Sequence, residues 1–186
     1  MRSIALGLLF AASAVLSAGA SANAVEIEKP ATACAFRAWS KDPGRLNVRA
    51  APRADGAVIA RLPPPLRDGS ESYSPEMKII GAKNGWLLID GAEIPELGVG
   101  KAGPPFLGRG WVSGAMIDVS AQDERVRSAP DAAAPVVDAP REDEARGKEF
   151  LKLRRIWSCQ GSWAEVEGDF VFEAADPGRR ARGWVT

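Results

Sequence analysis

Two cysteines, six tryptophans and a few clustered carboxylates are the side chains of this 186-residue chain with chemistry to offer. Histidine is absent. Its absence removes the commonest general base near neutral pH and the commonest zinc ligand. Ser-His-Asp and Cys-His catalysis are excluded with it. The carboxylates fall in short runs, Glu93 with Glu96 and Glu142-Asp143-Glu144. Such runs ordinarily mark a solvated face, and no motif sets a proton donor beside them. The glycines from Gly98 to Gly103 lack the Gly-Lys-Ser or Gly-Lys-Thr ending of a phosphate-binding loop. The sequence assigns no catalytic residue, no metal ligand and no cofactor. The expectation is a protein that binds, with carboxylate-based hydrolysis as the enzymatic alternative.

The cysteines raise the question of compartment. Residues 1 to 24 begin with Arg2, continue through an apolar run from Ile4 to Leu16, and end in Ala22-Asn23-Ala24. This is the layout of a secretory signal with a small-x-small cleavage site, and the apolar run is too short to span a bilayer. The expected mature chain starts at Val25, in the periplasm or outside the cell, with no membrane segment left. Lys plus Arg and Asp plus Glu both number 24. A balanced chain has no net field to hold nucleic acid. In an oxidising compartment two cysteines are expected to pair. A Cys34–Cys159 bond requires Cα atoms within about 7 Å, so it requires the N-terminal segment to touch the second half of the chain.

The elements that must position these groups are strands. From residue 40 onward short apolar runs alternate with breakers such as Pro43-Gly44, Pro52, Pro63 to Pro65 and Asn84-Gly85. "LNVRA" from Leu46 alternates Leu46, Val48 and Ala50 with polar residues, as a half-buried strand does. "MKIIGA" and "WLLID" flank Asn84-Gly85, which suits the positive φ angles of a tight hairpin turn. The pattern then returns. Val48 to Pro52 matches Val126 to Pro130, Val58-Ile59 matches Val136-Val137, Trp86 matches Trp163, and "RGWVS" at 109 to 113 matches "RGWVT" at 182 to 186. Features recurring in one order mark two copies of one small β unit.

Leu46 to Pro52, then Val58-Ile59, then Asn84 to Trp86, then Gly110 to Ser113, resembles the bacterial SH3 domain family. The first copy matches closely over 40 to 119. The second, over 120 to 186, lacks the Leu-Asn and the Asn-Gly turn and ends without the "GAMI" tail. The resemblance implies an all-β fold of two tandem small SH3-like barrels, preceded by a segment at 25 to 39. It implies a binding or adaptor protein that recognises cell-wall peptide or an exported protein partner; an inhibitor of another exported protein is a further alternative. It places the Arg after Val in solvent. Trp86 and Trp111 are plates suited to a barrel interior, as are Trp163 and Trp184. The polar loop carrying Glu71 and Tyr73 borders the family's ligand groove, so Tyr73 and Glu71, with Trp39 and Trp86, are the candidate ligand contacts. Trp157 is read as packing against the other unit. The apolar loop from Asp90 to Arg109, with Ile94, Leu97, Val99, Phe106 and Leu107, is a second candidate contact surface. "PREDEARGKEF" at 140 to 150 is read as a solvated loop or one helical turn.

Mass spectrometry of protein recovered from the exported fraction, alkylated before digestion, is expected to give an N-terminus at Val25 and one linked Cys34–Cys159 peptide pair. Two alkylated cysteines would overturn the pairing.

Overall fold

The computed structural model describes residues 25–68, 71–94 and 106–186. The segment 1–24, expected to be an export signal, lies outside the described residues, as do Glu96, Leu97, Val99 and the glycines from 98 to 103. The fold class is all-β. The strands of the first half are β1 (Thr32–Ser40), β2 (Leu46–Arg49), β3 (Val58–Leu62), β4 (Leu66–Asp68), β5 (Glu71–Tyr73), β6 (Glu76–Lys83), β7 (Trp86–Glu93), β8 (Phe106–Ser113) and β9 (Ile117–Asp118). The second half holds β10 (Val126–Arg127), β11 (Val136–Asp138), β12 (Glu142–Asp143), β13 (Gly147–Lys148), β14 (Phe150–Gln160), β15 (Trp163–Val171) and β16 (Arg179–Val185). A 3-10 turn at Gly114–Met116 links β8 to β9.

Two antiparallel sheets carry the architecture, in the orders β3-β2-β8-β7-β6-β1-β9 and β11-β10-β16-β15-β14. The second order reproduces β3-β2-β8-β7-β6 of the first, strand for strand. Two small hairpins, β4 with β5 and β12 with β13, stand apart. The charged insertion at 140–150, expected as a loop or helical turn, is the β12–β13 hairpin. Its turn is closed by Asp143, whose Oδ1 accepts from the backbone N–H of Ala145 and of Arg146, both at 2.9 Å. The expected loop around Tyr73 likewise contains the β4–β5 hairpin.

The repeat holds to single hydrogen bonds. Ala50 N–H donates to Ala57 C=O, Arg53 to Ala51 and Gly56 to Arg53; in the second half Ser128 donates to Pro135, Asp131 to Ala129 and Ala134 to Asp131. The Arg49 guanidinium donates to Gly56 O at 2.7 Å, and Arg127 to Ala134 O at 2.9 Å. These arginines do not simply face solvent as expected. Each ties down the loop after its own strand, and Arg127 is buried. Gly110 and Gly183 lie where β8 and β16 cross β2 and β10. A Cβ at Gly183 would sit 2.5 Å from Arg127 O, and one at Gly110 would overlap Val48 Cγ1, so only glycine permits the approach. The hairpin turns differ in type. Asn84 and Gly85 both have positive φ (52° and 76°), whereas only Gly161 does in the other hairpin (58°). These are the signatures of type I′ and type II′ turns.

Met77, Ile79, Leu87, Ile89 and Val112 of the first half and Ile156, Val166, Phe170 and Val185 of the second belong to one continuous buried core. Trp111 departs from expectation. Successive strand residues point to opposite faces, and Val112 takes the core. Trp111 is fully buried on the other face, paired with Leu88. Residues 25–31 bury it by crossing that face as a strap. Glu28 N–H donates to Ala50 O at 3.1 Å, Trp111 Nε1–H donates to Glu28 O at 3.0 Å, and Ala31 N–H donates to Ala82 O at 2.9 Å. Covering a side chain of this size contributes on the order of 3 kcal/mol.

The rest of the N-terminal segment becomes β1. It pairs with β6 and β9, and its register shifts between Ala33 and Phe36. That bulge frees Ala33 O and Ala35 N–H to bond Gly161 of the second half, at 2.9 and 2.7 Å. Cys34, at the same bulge, is bonded to Cys159 with Cα atoms 5.6 Å apart. The outer edge of β14, bare in its own sheet, is satisfied from the first half. Gly85 N–H donates to Trp157 O at 3.0 Å, and Lys41 Nζ donates to Leu153 O at 2.7 Å and Arg154 O at 3.3 Å.

Gly114 sits at the tightest point of this junction. A Cβ there would overlap Ile156 O and lie 2.9 Å from Gly85 O. Both obstacles are backbone and cannot swing aside. Gly114→Ala is expected to destabilise the fold by roughly 2–3 kcal/mol in denaturant titration. Gly44→Ala, whose Cβ would meet only Asp42 Oδ1 at 3.4 Å, should change it by less than about 1 kcal/mol. Equal effects would refute the tight junction.

Candidate functional site

The four residues proposed from sequence do not form one site. Glu71 and Tyr73 share the β4–β5 hairpin, where the Tyr73 hydroxyl donates to the Glu71 carboxylate. Trp39 lies opposite Glu76 at one end of the β1–β6 ladder. Trp86 lies opposite Lys83 at the other end of β6, roughly 23 Å away at 3.3 Å per residue. Trp39, Tyr73 and Trp86 are all half-buried. Beside the Trp39 end is a notch of about 250 Å³ lined by Arg37, Glu76, Glu93, Phe106 and Leu107. Arg37 lies between Glu93 and Glu76, bonded to both; Glu93 first and Glu76 second raise its guanidinium pKa. Of the apolar loop, Phe106 packs on the core while Leu107 is 84% exposed.

The larger concavity lies where the halves meet. This cleft, of about 530 Å³, is lined by Lys83, Asn84, Trp157, Ser158, Glu165 and Arg182, among others. Trp157 reaches it through a register shift between Ile156 and Ser158, the place where β6 has its own shift between Ile79 and Gly81. A bulge re-aims one side chain, and here it sets the indole against the Asn84-Gly85 turn, 3.3 Å from where a Gly85 Cβ would be. Packing against the other half was the expectation for Trp157. The indole also carries two guanidinium groups, Arg155 at 4.6 Å and Arg182 at 4.9 Å, and donates to Glu167 Oε2 at 3.1 Å. Arg182 pairs with Glu165 at 2.9 Å, and Lys83 with Glu28 at 2.7 Å.

An aromatic plate beside charges of both signs is equipped to hold a short zwitterionic peptide by stacking and ion pairing. Sequence reasoning missed Glu28, Lys83, Glu165 and Arg182, because the cleft exists only once the halves dock. The one signal available was a tryptophan outside the repeated signature, Trp157. Among the described residues no group of three metal-ligating side chains gathers, and no helix is long and apolar enough to cross a membrane.

Two sets of charges hold the framework around this cleft. At the junction, burial pulls the Lys41 ammonium below its ordinary pKa, and Asp118 partly offsets this. Burial likewise pushes Asp118 above its ordinary value, against the pull of Lys41. Ahead of β10, Asp123 accepts from Arg125 Nε at 2.8 Å and from Arg127 at 3.4 Å. Arg125 first, and Arg127 with it, hold the Asp123 carboxyl well below the usual range. Arg127 is paired directly with Trp184, so this carboxylate anchors the strand beside the outer face of the second sheet.

No protein-family model matches the chain, and neither curated proteins nor solved structures give a match.

A carboxylate whose folded pKa lies below its unfolded one adds stability above the unfolded value and loses it as the pH falls. The contribution of Asp123 is therefore complete above about pH 4 and fades below it. Asp123→Asn is expected to lower the melting temperature by roughly 2 °C at pH 7. It should also make stability less steeply pH-dependent between pH 4 and 2. Parallel profiles for the two proteins would contradict the assignment.

Proposed function

We propose that this chain is an exported binding or adaptor protein, built from two SH3-like modules, that recognises the peptide of the bacterial cell wall. The observation that carries the reading is the cleft between the two sheets, with Trp157 flanked by Lys83, Glu165 and Arg182. Its chemistry fits a short peptide bearing both ammonium and carboxylate groups. The apolar edge of such a peptide lies on the indole, and its charges exchange with the Arg182–Glu165 and Lys83–Glu28 pairs. The disulfide between Cys34 and Cys159 supports export, because such bonds persist in oxidising compartments. The repeated ladder, with glycine at both strand crossings, supports the modular reading.

Purified wall sacculi, incubated with the mature protein and sedimented, are expected to carry it down. Trp157→Ala should weaken retention about tenfold, the effect of losing a stacked aromatic with its cation partners. Absence of the intact protein from the pellet would sink the wall reading. Crosslinking that captures an exported enzyme at the same cleft would turn it into that of an inhibitor.

A further inference from the structure

The two halves share a fold but not a covering. In the first, the strap of residues 25–31 lies across the outer face, and Ala50, Ala51, Leu88 and Trp111 are buried there. The counterparts in the second half are Ser128, Ala129, Glu165 and Trp184, matched by strand register and by the loop hydrogen bonds. Ser128 is exposed and Ala129, Glu165 and Trp184 are half-buried. The Trp184 indole N–H has no hydrogen-bond partner among the described residues. Its counterpart, Trp111, donates to the strap.

We infer that the outer face of the second sheet, around Trp184 and Ser128, is a docking site for an extended segment of a partner protein that carries a Lys or Arg side chain. The strap is the internal precedent. It binds through one residue's backbone, Glu28, whose N–H donates to the Ala50 carbonyl and whose carbonyl accepts from the Trp111 indole. Ser128 O and Trp184 Nε1–H offer the same acceptor and donor in the second half, and an extended L-peptide backbone answers both.

The side-chain preference is reversed. The Glu28 carboxylate is met by Lys83 at 2.7 Å and Arg53 at 3.5 Å. The corresponding residues are Gln160 and Asp131, both exposed; Glu165, which replaces the apolar Leu88, is already paired with Arg182 at 2.9 Å, so Asp131 sets the charge preference. An acidic side chain would face Asp131 unpaired; a basic one is matched. The path also differs at one end. Gly81 lets Pro30 close in, so near that a Cβ would overlap it. Ser158 stands at the matching place in the second half, so the ligand leaves the face before that strand. This site adjoins the cleft of the proposed function and rests on that reading only in taking the protein to be an adaptor. The cleft faces the wall and the Trp184 face takes the protein to be tethered.

The probe is the heptapeptide of residues 25–31 with the Glu28→Lys change, titrated into full-length mature protein labelled with nitrogen-15. The Trp184 indole N–H signal, assigned by its loss in Trp184→Phe, is expected to shift and saturate while that of Trp111 stays in place. Trp184→Phe should weaken binding about fivefold, the worth of one hydrogen bond. Asp131→Arg should invert the charge preference, so that the unaltered heptapeptide binds more tightly than the lysine one. An unmoved Trp184 signal, undiminished binding by Trp184→Phe, or equal binding of the two peptides overturns the inference. A dimer abolished by deleting residues 25–31 also overturns it, by naming a second copy's strap as the occupant. Sacculus retention of Trp184→Phe is measured in parallel. Trp184→Phe is expected to be retained as the unsubstituted protein is; retention of the unsubstituted protein without peptide binding removes this inference alone, and its peptide binding without retention removes the wall reading alone.

Discussion

Strand β14 has an edge that its own sheet leaves bare, and most of what is particular to this protein follows from how that edge is covered. An uncovered edge strand of eleven residues exposes a row of amide and carbonyl groups open to any other chain. Here carbonyls of the edge are taken up one at a time by unlike donors, a turn amide from Gly85 and a lysine ammonium from Lys41, and just past the strand's end a bulge in β1 both donates to and accepts from Gly161. None of these is a continuous ladder. The first half can therefore cap the second without fusing the two into one sheet. Each bond demands close approach: a Cβ at Gly114 would strike Ile156 O, and one at Gly85, a glycine its turn already requires, would lie 3.3 Å from the Trp157 ring.

The disulfide belongs to the same arrangement. Cys34 and Cys159 are both buried, at the end of β14 where the β1 bulge meets Gly161. In the chain-entropy model a bond across 125 residues contributes at most about 5 kcal/mol. Its placement also matters: it joins the two halves beside the backbone bonds that align them, so the crosslink and the hydrogen bonds hold one geometry. Lys41 brings a cost to that junction. Its ammonium is half-buried, and burial lowers its pKa, so part of the energy of its bonds to Leu153 O and Arg154 O offsets desolvation. Asp118 reduces that cost without being in direct contact with it.

The strands were legible in the sequence because their signals are local. Period-two alternation at Leu46 to Ala50, the Asn84-Gly85 turn and the recurrence of Gly-Trp-Val each need only a few neighbouring residues. The all-β class follows from them. The Cys34–Cys159 pairing was legible from the compartment expected of the N-terminal sequence, and it implied contact between the halves. The site was less legible because it is made by docking. Trp86 and Trp39 are conspicuous in the sequence, yet a ladder holds them at opposite ends of one strand. Trp157 was noticed without its partners. The face of Trp111 was misjudged because the signature says that a large plate is buried and not by what; a strap from residues 25–31 has no local pattern to betray it. Arg49 and Arg127 were misjudged for a related reason. A guanidinium that closes its own loop looks, in sequence, like any exposed strand residue.

Comparing the halves with each other extends what either shows alone. Residues that recur, such as the glycines at 110 and 183 and the arginines at 49 and 127, serve the ladder and its loops. Residues that change between copies fall mainly on the outer faces: Leu88 against Glu165, Arg53 against Asp131, Lys83 against Gln160, Gly81 against Ser158. The first set is fixed by backbone geometry, since the same hydrogen bonds are made in both places. The second set is fixed by what lies on top. In the first half that is the strap, and its apolar and basic counterparts suit the acidic segment they hold. In the second half the same positions are polar and acidic, so this face suits water and charge and would not hold the first half's strap in the same way. A ladder repeated with unlike outer faces gives a scaffold whose rigidity is shared and whose surfaces differ, which is the physical requirement that the proposed adaptor reading makes of the fold.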